Sequence, residues 1–200
     1  EDFLKFMDKY PDTHIAQMDS LMGARESGKC LLTVHFVDTS MMLAFLRDAN
    51  TSQSVIDIFG DLFAVLKRKS FEKLFPVILT DNGSEFSNPR AIEYGPAQDD
   101  ILRTRIFYCD PSAPYQKGAL EVNHQLIRRV IPKGSSLSDL TQGDVTRMMD
   151  HINSYKRKKL NDRCPYDAFR FLYGEELLQL LGCSRVPAEN IVLKPRLLKK

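Results

Sequence analysis

Three carboxylates stand out in the sequence because each occupies a position from which it could take part in a reaction: Asp19, Asp81 and Glu121. Asp19 follows a strand-like run at 14–18, and Asp81 follows a more apolar run at 76–80. Open sheets with helical crossovers place their functional sites beyond the carboxyl ends of strands. Both aspartates are therefore expected at one edge of a sheet, each at the end of its strand.

Each of the three residues also has an ordinary structural explanation. Asp19 could be a strand-end aspartate that faces solvent. Asp81 begins Asp-Asn-Gly, which is a common turn sequence. Glu121 could pair with Lys117 on the solvated face of a helix, a contact worth roughly a few tenths of a kcal/mol. These explanations stay open for each residue taken alone.

Taken together, the three carboxylates favour a metal site. Two aspartates on neighbouring strands and a glutamate on a helix packed near the strand ends can converge on one point. A site made of carboxylate oxygens suits Mg²⁺ or Mn²⁺. Two such ions, ~3.5–4 Å apart, can stabilise the attacking and leaving oxygens of a phosphoryl displacement. Without ions, three clustered carboxylates would repel one another.

The elements that must position these residues can be read from apolar periodicity and turn signals. Strands are predicted at 14–18, 30–37, 41–46, 76–80 and 105–109, and helices at 51–69, 89–94, 115–130, 141–155, 165–173 and 175–181. Three early strands without helices between them indicate a meander, and the later strand–helix alternation indicates parallel additions. The prediction is an α/β fold with a mixed five-stranded sheet flanked by helices.

The helix predicted at 115–130 has two distinct faces. Residues 117, 121, 124, 125 and 128 share a polar face, while the opposite stripe is apolar and comprises Ala119, Val122, Leu126, Ile127 and Val130. We expect the apolar stripe to pack on the sheet and the polar face to carry Glu121. His124, one turn after Glu121, is interpreted as a surface histidine, with contact to DNA or metal as the alternative.

Composition limits the class of protein. The chain has 200 residues, 43% of them hydrophobic and 27% charged, which is typical of one globular domain in solution. The sequence contains no run of 18 apolar residues, so no membrane span is predicted. The four cysteines are scattered, and none belongs to a C-x-x-C pair: Cys30, Cys109, Cys164 and Cys183. This spacing argues against a zinc cluster and a disulfide framework, and it favours a reducing compartment.

The net charge of +2 is unevenly distributed. Residues 1–100 hold 10 Lys and Arg against 16 Asp and Glu, a net charge of −6. Residues 101–200 hold 18 against 10, a net charge of +8. A basic second half permits a polyanionic partner, although two differently solvated faces would give the same counts. The run 156–159, Lys-Arg-Lys-Lys, fits either a DNA backbone or a solvated linker.

Two sequence motifs resemble a known group of enzymes. Residues 79–86, Leu-Thr-Asp-Asn-Gly-Ser-Glu-Phe, resemble the second-aspartate motif of the integrase and transposase superfamily with a ribonuclease-H-like core. The segment 108–118, Tyr-Cys-Asp-Pro-Ser-Ala-Pro-Tyr-Gln-Lys-Gly, and the residues from Glu121 to a Pro-Lys-Gly at 132–134 resemble the third-carboxylate region of the insertion-sequence-30 family of bacterial transposases. Residues 19–23, Asp-Ser-Leu-Met-Gly, are similar to that family's first-aspartate motif.

The resemblance covers about residues 12–173 and includes mild departures. Ser20 stands where the family usually has Thr, and Tyr115 stands where it usually has Trp. The 40 positions from Asp81 to Glu121 are more than is common, and the additional length falls within 93–104. The pattern of carboxylates is intact in spite of these differences.

The resemblance implies a ribonuclease-H-like fold and a DNA transposase with three catalytic carboxylates. Asp19 and Asp81 would share Mg²⁺, with Mn²⁺ as a substitute, and Glu121 would complete the site. The reaction would be nicking at the ends of a mobile element, followed by strand transfer into target DNA. The partners would be both kinds of DNA and further copies of the chain. We expect no membrane association and a place in the bacterial cytoplasm, at the nucleoid.

The resemblance also implies how the chain is divided and how it would hold DNA. Residues 1–12 are expected to be the remnant of a preceding linker or helix, 13–182 the catalytic core and 183–200 a basic tail. Four cations on or just after the predicted helix are candidates for phosphate contacts, with surface solubility as the alternative: Lys117, Arg128, Arg129 and Lys133. Asp110 either approaches the site or caps a turn.

Two other functions fit the same core. A ribonuclease-H-like nuclease would cut without strand transfer, and a decayed transposase would bind DNA without catalysis. The stretch from Lys117 to Gly134 argues against the nuclease. The presence of all three carboxylates argues against the decayed module.

Overall fold

The computed structural model describes residues 2–24, 28–95, 101–109 and 118–198. The strands are β1 Ile15–Met22, β2 Cys30–Phe36, β3 Met42–Arg47, β4 Val77–Thr80 and β5 Arg105–Tyr108. The helices are α1 Asp2–Lys9, α2 Ser52–Leu74, α3 Pro89–Tyr94, α4 Gly118–Val130, α5 Gln142–Ser154, α6 Pro165–Tyr173 and α7 Glu175–Leu180.

The strands form one five-stranded sheet in the order β3-β2-β1-β4-β5. Strands β1, β2 and β3 pair in antiparallel fashion, whereas β4 pairs in parallel with β1, and β5 in parallel with β4. A parallel neighbour requires a crossover, and α2 provides it between β3 and β4. The predicted mixed sheet, with an early meander and later parallel strands, is confirmed.

The two faces of the sheet carry separate cores because side chains alternate along each strand. From β1 and β4, Ala16, Met18 and Ile78 join a core with α2, α6 and α7, where Phe36, Phe59, Phe71, Phe75 and Phe169 are fully buried. Leu21, Leu31 and Met42 point to the other face and pack against α4 and α5. Strand β2 is buried along its whole length because both of its faces are covered.

Strand β1 is longer than its sequence suggests. The prediction that the strand ends at Met18 was wrong, since β1 continues to Met22 and its last residues pair with β2 in the register Ser20↔Leu32, Leu21↔Leu31 and Met22↔Cys30. Asp19 therefore lies within the strand, opposite Thr33, and not at its end. The reason is that the antiparallel partner β2 extends beyond the short parallel partner β4.

Helix ends follow local signals in the sequence. The Thr141 hydroxyl accepts from the Asp144 N–H while the Asp144 carboxylate accepts from the Thr141 N–H, which forms a capping box at the start of α5. Thr51 caps α2 by accepting from Ser54 N–H. Helix α2 runs on to Leu74, beyond the predicted end, after an interruption at Lys67, which has φ 58°.

Both ends of the described chain pack against the core. Phe3 and Phe6 of α1 contact Phe107 on β5 with ring-centroid distances of 5.8 and 5.2 Å. After α7, the chain runs along α5, where the Ser184 N–H donates to Asp150 and the Val192 N–H donates to His151. Within the described ranges, no helix combines the length and apolar character that a membrane span requires.

The outer edge of the sheet is closed by amide side chains. Asn153 on α5 accepts from the Met42 N–H at 3.1 Å and donates to the Met42 carbonyl at 2.8 Å. Gln142 makes the equivalent pair, accepting from the Leu46 N–H at 2.8 Å and donating to the Ala44 carbonyl at 3.0 Å. These amides occupy the backbone groups through which an edge strand could pair with another chain.

We expect Asn153→Ala to lower the free energy of unfolding by about 2–4 kcal/mol, because it leaves a buried N–H and a buried carbonyl without partners. Gln142→Ala is the matched control, since it removes the same two kinds of bond from an exposed position where water can replace them. Its expected cost is about 1 kcal/mol or less. Urea unfolding of both variants measures the difference, and equal losses would contradict this account.

Candidate active site

Asp19 and Asp81 are neighbours across the junction of β1 and β4. The parallel register pairs Ala16 with Ile78 and Gln17 with Leu79. If this register is continued by two residues, Asp81, the first residue after β4, would stand opposite Asp19. The Thr80 hydroxyl donates to the Met18 carbonyl at 3.2 Å and holds the strands together at this point.

Alternation along β1 assigns Asp19, like Leu21, to the face of the sheet that α4 and α5 cover. Ala16, Met18 and Ile78 point to the opposite core, so alternation directs the odd-numbered residues of these strands toward α4. Neighbouring strands are about 4.8 Å apart. The backbone of Asp81, directly after β4, is therefore expected beside that of Asp19, which lies within β1.

Each aspartate is oriented by a backbone N–H close to it in sequence. Ser20 N–H donates to Asp19 Oδ1 at 2.8 Å, and Gly83 N–H donates to Asp81 Oδ1 at 3.1 Å. A Cβ at position 83 would lie 2.6 Å from Glu85 Oε2 and 3.2 Å from Asp81 Oδ1. A side chain at position 83 would displace the Glu85 carboxylate and crowd Asp81, so glycine favours this arrangement in addition to the turn.

A chain of hydrogen bonds connects α4 to the strand that carries Asp19. The Thr33 hydroxyl donates to the Asp19 carbonyl at 3.1 Å. Since a hydroxyl carries one proton, it accepts from Nε2–H of His124, 2.8 Å away. Further along α4, Arg128 donates to the Met22 carbonyl at 3.2 Å. Helix α4 therefore runs alongside β1, in the same direction.

Glu121 lies in the first turn of α4, one turn before His124, and its side chain is exposed. Residues three apart lie on the same side of a helix. Glu121 therefore lies on the side of α4 from which His124 contacts Thr33. Helix α4 therefore carries Glu121 on the side of the sheet that Thr33 faces. The expectation that His124 is a plain surface histidine was wrong, since it is half-buried and contacts β2.

The buried side of α4 is rotated relative to the predicted apolar stripe. Val122 is 49% exposed, whereas Asn123 is 1% exposed and accepts from the guanidinium of Arg157 at 3.1 Å. Arg157 is itself buried, and burial lowers its pKa to about 10. A buried amide–guanidinium contact outweighs the apolar character of Val122 and turns the helix.

A groove of about 400 Å³ begins at Glu121 and is lined by Glu121, His124, Gln125, Arg128 and Arg129. Arg129 is exposed, while partial burial lowers the pKa of Arg128. Guanidinium groups bind phosphates through paired N–H donors, so the lining suits a DNA backbone. Of the other predicted phosphate contacts, Lys133 is exposed beyond the end of α4 and Lys117 lies outside the described residues.

The aspartate pair fits a divalent cation in part. Carboxylate oxygens are the donors that Mg²⁺ and Mn²⁺ prefer. Within the described ranges, no three His, Cys, Asp or Glu side chains lie close enough together to hold one ion. The two aspartates therefore offer two ligands, and Glu121 has to approach them for all three to converge. The predicted approach of Asp110 falls outside the described residues.

Sequence reasoning missed Thr33 and its two contacts. The signal was present as a threonine and a histidine within the otherwise apolar run at 30–37. Polar residues in a fully buried strand need partners on the adjoining elements. The sequence could not show which elements those are, because His124 and Thr33 are 91 positions apart.

No protein-family model matches the chain. The transposase for insertion sequence element IS1086 of Cupriavidus metallidurans is 26% identical over 147 residues, which are 74% of this chain and 40% of that protein. The transposase for IS4351 of Bacteroides fragilis is 26% identical over 159 residues, 80% of this chain and 45% of that protein. The InsI transposase for IS30A of Escherichia coli is 33% identical over 61 residues, 30% of this chain and 16% of that protein.

Solved structures of integrases resemble the fold of this chain. The catalytic core domain of BIV integrase has a TM-score of 0.53 and 18% identity, covering 83% of this chain and 97% of that one. A chain of the simian T-cell lymphotropic virus intasome has a TM-score of 0.58 and 17% identity, and the match covers 87% of this chain and 56% of that one. The HTLV-2 integrase catalytic core was solved with magnesium in a trimeric form. It has a TM-score of 0.53 and 15% identity, and the match covers 78% of this chain and 95% of that one.

The chain spans less than half the length of the curated transposases that it matches. Its mixed sheet with flanking helices is the fold of the integrase cores, and its sequence relatives are insertion-sequence transposases. The chain is thus a relative of insertion-sequence transposases with the ribonuclease-H-like fold of an integrase catalytic core.

Proposed function

We propose that the chain is the catalytic domain of a DNA transposase, which cuts DNA at the ends of a mobile element and joins the cut strand to target DNA. The observation that supports this proposal is the parallel register of β1 with β4, which runs toward Asp19 and Asp81. A groove lined by two arginines begins at Glu121 on α4. The curated relatives are transposases, which supports the same reaction.

Each part of the site has a distinct role in this proposal. Asp19 and Asp81 would hold Mg²⁺, and Glu121 would complete its ligands. Of two bound ions, one would activate the attacking oxygen and the other would stabilise the leaving oxygen of the phosphodiester. Backbone N–H groups of Ser20 and Gly83 orient the two aspartates before the ion arrives. Such preorganisation lowers the cost of forming the site.

The groove beyond Glu121 would hold the DNA backbone. Arg129 is exposed, and Arg128 is fixed by its bond to the Met22 carbonyl. Both residues would contact phosphates, and so would Lys133 after the end of α4 and Lys117, which precedes α4 in the sequence. Phosphate contacts fix the position of DNA and carry little sequence information. Recognition of particular element ends therefore has to come from other contacts.

We further propose that the active form contains several copies of the chain. Two element ends must reach one target, and one site can process one end at a time. Among the structural neighbours, one belongs to an intasome and another was solved in a trimeric form. Action on chromosomal DNA would place the complex in the bacterial cytoplasm, at the nucleoid. The division into linker 1–12, core 13–182 and tail 183–200 remains a proposal.

A branched DNA substrate tests the proposed reaction. It carries an element strand already joined to a target strand, so that reversal of strand transfer releases one strand and reseals the other. We expect release and resealing in Mg²⁺ or Mn²⁺, and neither after chelation. Release without resealing would indicate the nuclease. Binding of the substrate with no reaction in either metal would indicate the decayed module.

A further inference from the structure

A second pocket lies directly beyond the groove that begins at Glu121. It has a volume of about 430 Å³ and is formed where the end of α4, the segment after α5 and the C-terminal segment meet. The residues that matter for its chemistry are Arg129, Tyr155, Lys156, Ile191, Leu193 and Lys194. Arg129 lines both the groove and this pocket, so the two form one path.

The lining of this pocket combines positive charge with an aromatic ring. Arg129, Lys156 and Lys194 are all exposed, and no acidic side chain lines the pocket within the described ranges. Tyr155 is 41% exposed. Cations hold phosphates, while an exposed ring offers a surface on which a nucleobase can stack. The combination matches a nucleotide better than a phosphate or an apolar group alone.

The Tyr155 ring is held in place before any ligand arrives. The Arg157 guanidinium lies 5.4 Å from the ring centroid. Arg157 is buried and donates to the Asn123 side chain and to the Ile152 carbonyl, each at 3.1 Å. A fixed cation on one side of the ring limits its motion, so stacking on its other side costs little conformational entropy.

The C-terminal wall of the pocket is likewise attached to the core. Val192 N–H donates to His151 at 3.0 Å, and Val186 N–H donates to the Ser154 hydroxyl at 2.9 Å. Leu193 packs against the core that α4 and α5 form with the sheet. The backbone carrying Lys194 is therefore positioned by α5, and the pocket is preformed.

We propose that this pocket binds an unpaired nucleotide of single-stranded DNA, with the base stacked on Tyr155 and its phosphates held by Arg129, Lys156 and Lys194. The inference rests on the proposed function and extends it to the strand that leaves the groove. Duplex DNA hides its base faces within the stack, so an intact duplex cannot use the ring. The pocket thus selects DNA that is frayed or cut near the site.

The absence of tryptophan from the sequence permits a direct test. Tyr155→Trp places one fluorophore in the pocket, and Phe171→Trp places one on α6, where Phe171 is 86% exposed. Each variant is titrated with a short oligothymidine and with a blunt duplex. Anisotropy of a labelled oligonucleotide measures binding independently of the tryptophan signal. Thermal melting establishes that both variants are folded.

We expect oligothymidine to quench the tryptophan at position 155 in step with binding, and to leave the tryptophan at position 171 unchanged. The blunt duplex should bind without comparable quenching. Binding of oligothymidine without quenching at position 155 would overturn the pocket assignment and leave the proposed function standing. Absence of binding to either DNA would overturn both. Quenching without any reaction on the branched substrate would contradict the proposed function and support the pocket.

A second set of variants tests the same pocket without a fluorophore. Tyr155→Phe keeps the ring and should bind oligothymidine within about twofold of the wild type. Tyr155→Leu removes stacking and should weaken binding about tenfold. Lys194→Gln should weaken binding and reduce the slope of log affinity against log salt concentration by roughly 0.7. Equal affinity of the Phe and Leu variants would contradict stacking on Tyr155.

Discussion

Replacing Asp81 with asparagine is expected to reduce the rate of reaction on branched DNA at least about a thousandfold, which corresponds to about 4 kcal/mol of transition-state stabilisation. Asparagine has nearly the shape of aspartate and can still accept from Gly83 N–H. It lacks the negative charge that a divalent cation requires of its ligands. The loss should therefore appear in the rate and in Mn²⁺ affinity, with the fold and DNA binding retained.

The matched control for this variant is Asp57→Asn. Asp57 is an exposed residue of α2, on the opposite face of the sheet, and accepts from the Gln53 side chain. This variant makes the same chemical change away from the site and should react at the wild-type rate. Single-turnover kinetics in Mg²⁺ compare the three proteins. A rate for Asp81→Asn within about tenfold of the wild type would contradict a catalytic role for Asp81.

The second large effect is expected from His35, which makes stability depend on pH. Burial lowers the pKa of His35 from 6.5 to about 3, with smaller contributions from the charges of Lys159, His124 and Arg157. Within the described part of the chain, neither ring nitrogen has a hydrogen-bond partner. The neutral ring is therefore the form that the folded protein keeps.

The sign of the effect follows from proton uptake. Below about pH 6.5 the unfolded chain binds a proton at His35 that the folded chain does not, so the free energy of unfolding falls as the pH falls. The slope approaches about 1.4 kcal/mol per pH unit, and the decline ends near the folded pKa. Between pH 6.5 and pH 4.5 the wild type should lose about 2–3 kcal/mol through this residue.

His35→Leu removes the titrating ring and should remove this part of the pH dependence. Urea unfolding at about pH 7.5 and pH 4.5 gives the four free energies that are needed. His35→Gln is the control for packing, because it also cannot titrate but keeps a polar side chain. Both variants should lose less stability on acidification than the wild type. If both retain the full wild-type decline, the burial of a neutral His35 is not its cause.

The combination of antiparallel and parallel pairing could be predicted from sequence because it depends on local patterns. Apolar runs identify the strands, and the presence or absence of a helix between them distinguishes parallel from antiparallel pairing. The end of β1 could not be predicted in this way. Residues 19–22 are strand only because β2 supplies partners for them, and Asp19 and Ser20 do not favour a strand by themselves.

The rotation of α4 shows a second limit of sequence patterns. Val122 fits an apolar stripe better than Asn123 does, but Arg157 bonds to Asn123 from a distant part of the chain. The cost of burying an unpaired guanidinium exceeds the gain from burying one valine. Such long-range polar contacts decide which side of a helix is buried and leave no periodic signal in the sequence.

The sequence indicated the candidate carboxylates but not the hydrogen bonds around Asp19. The residue types of Asp19, Asp81 and Glu121, together with the resemblance, indicated the carboxylates, and the register of β1 with β4 runs toward the first two. The connection from His124 through Thr33 to Asp19 was not predicted. It joins a helix to two strands, so it depends on packing that only the folded chain defines.

The most direct test of the central claim is anomalous scattering from crystals soaked in Mn²⁺, for the wild type and Asp81→Asn. The account predicts a manganese peak coordinated by Asp19 and Asp81 in the wild type, with Glu121 drawn toward it. It predicts no peak in the variant. Well-ordered wild-type aspartates that bind no manganese at a saturating concentration would contradict the proposed catalytic site.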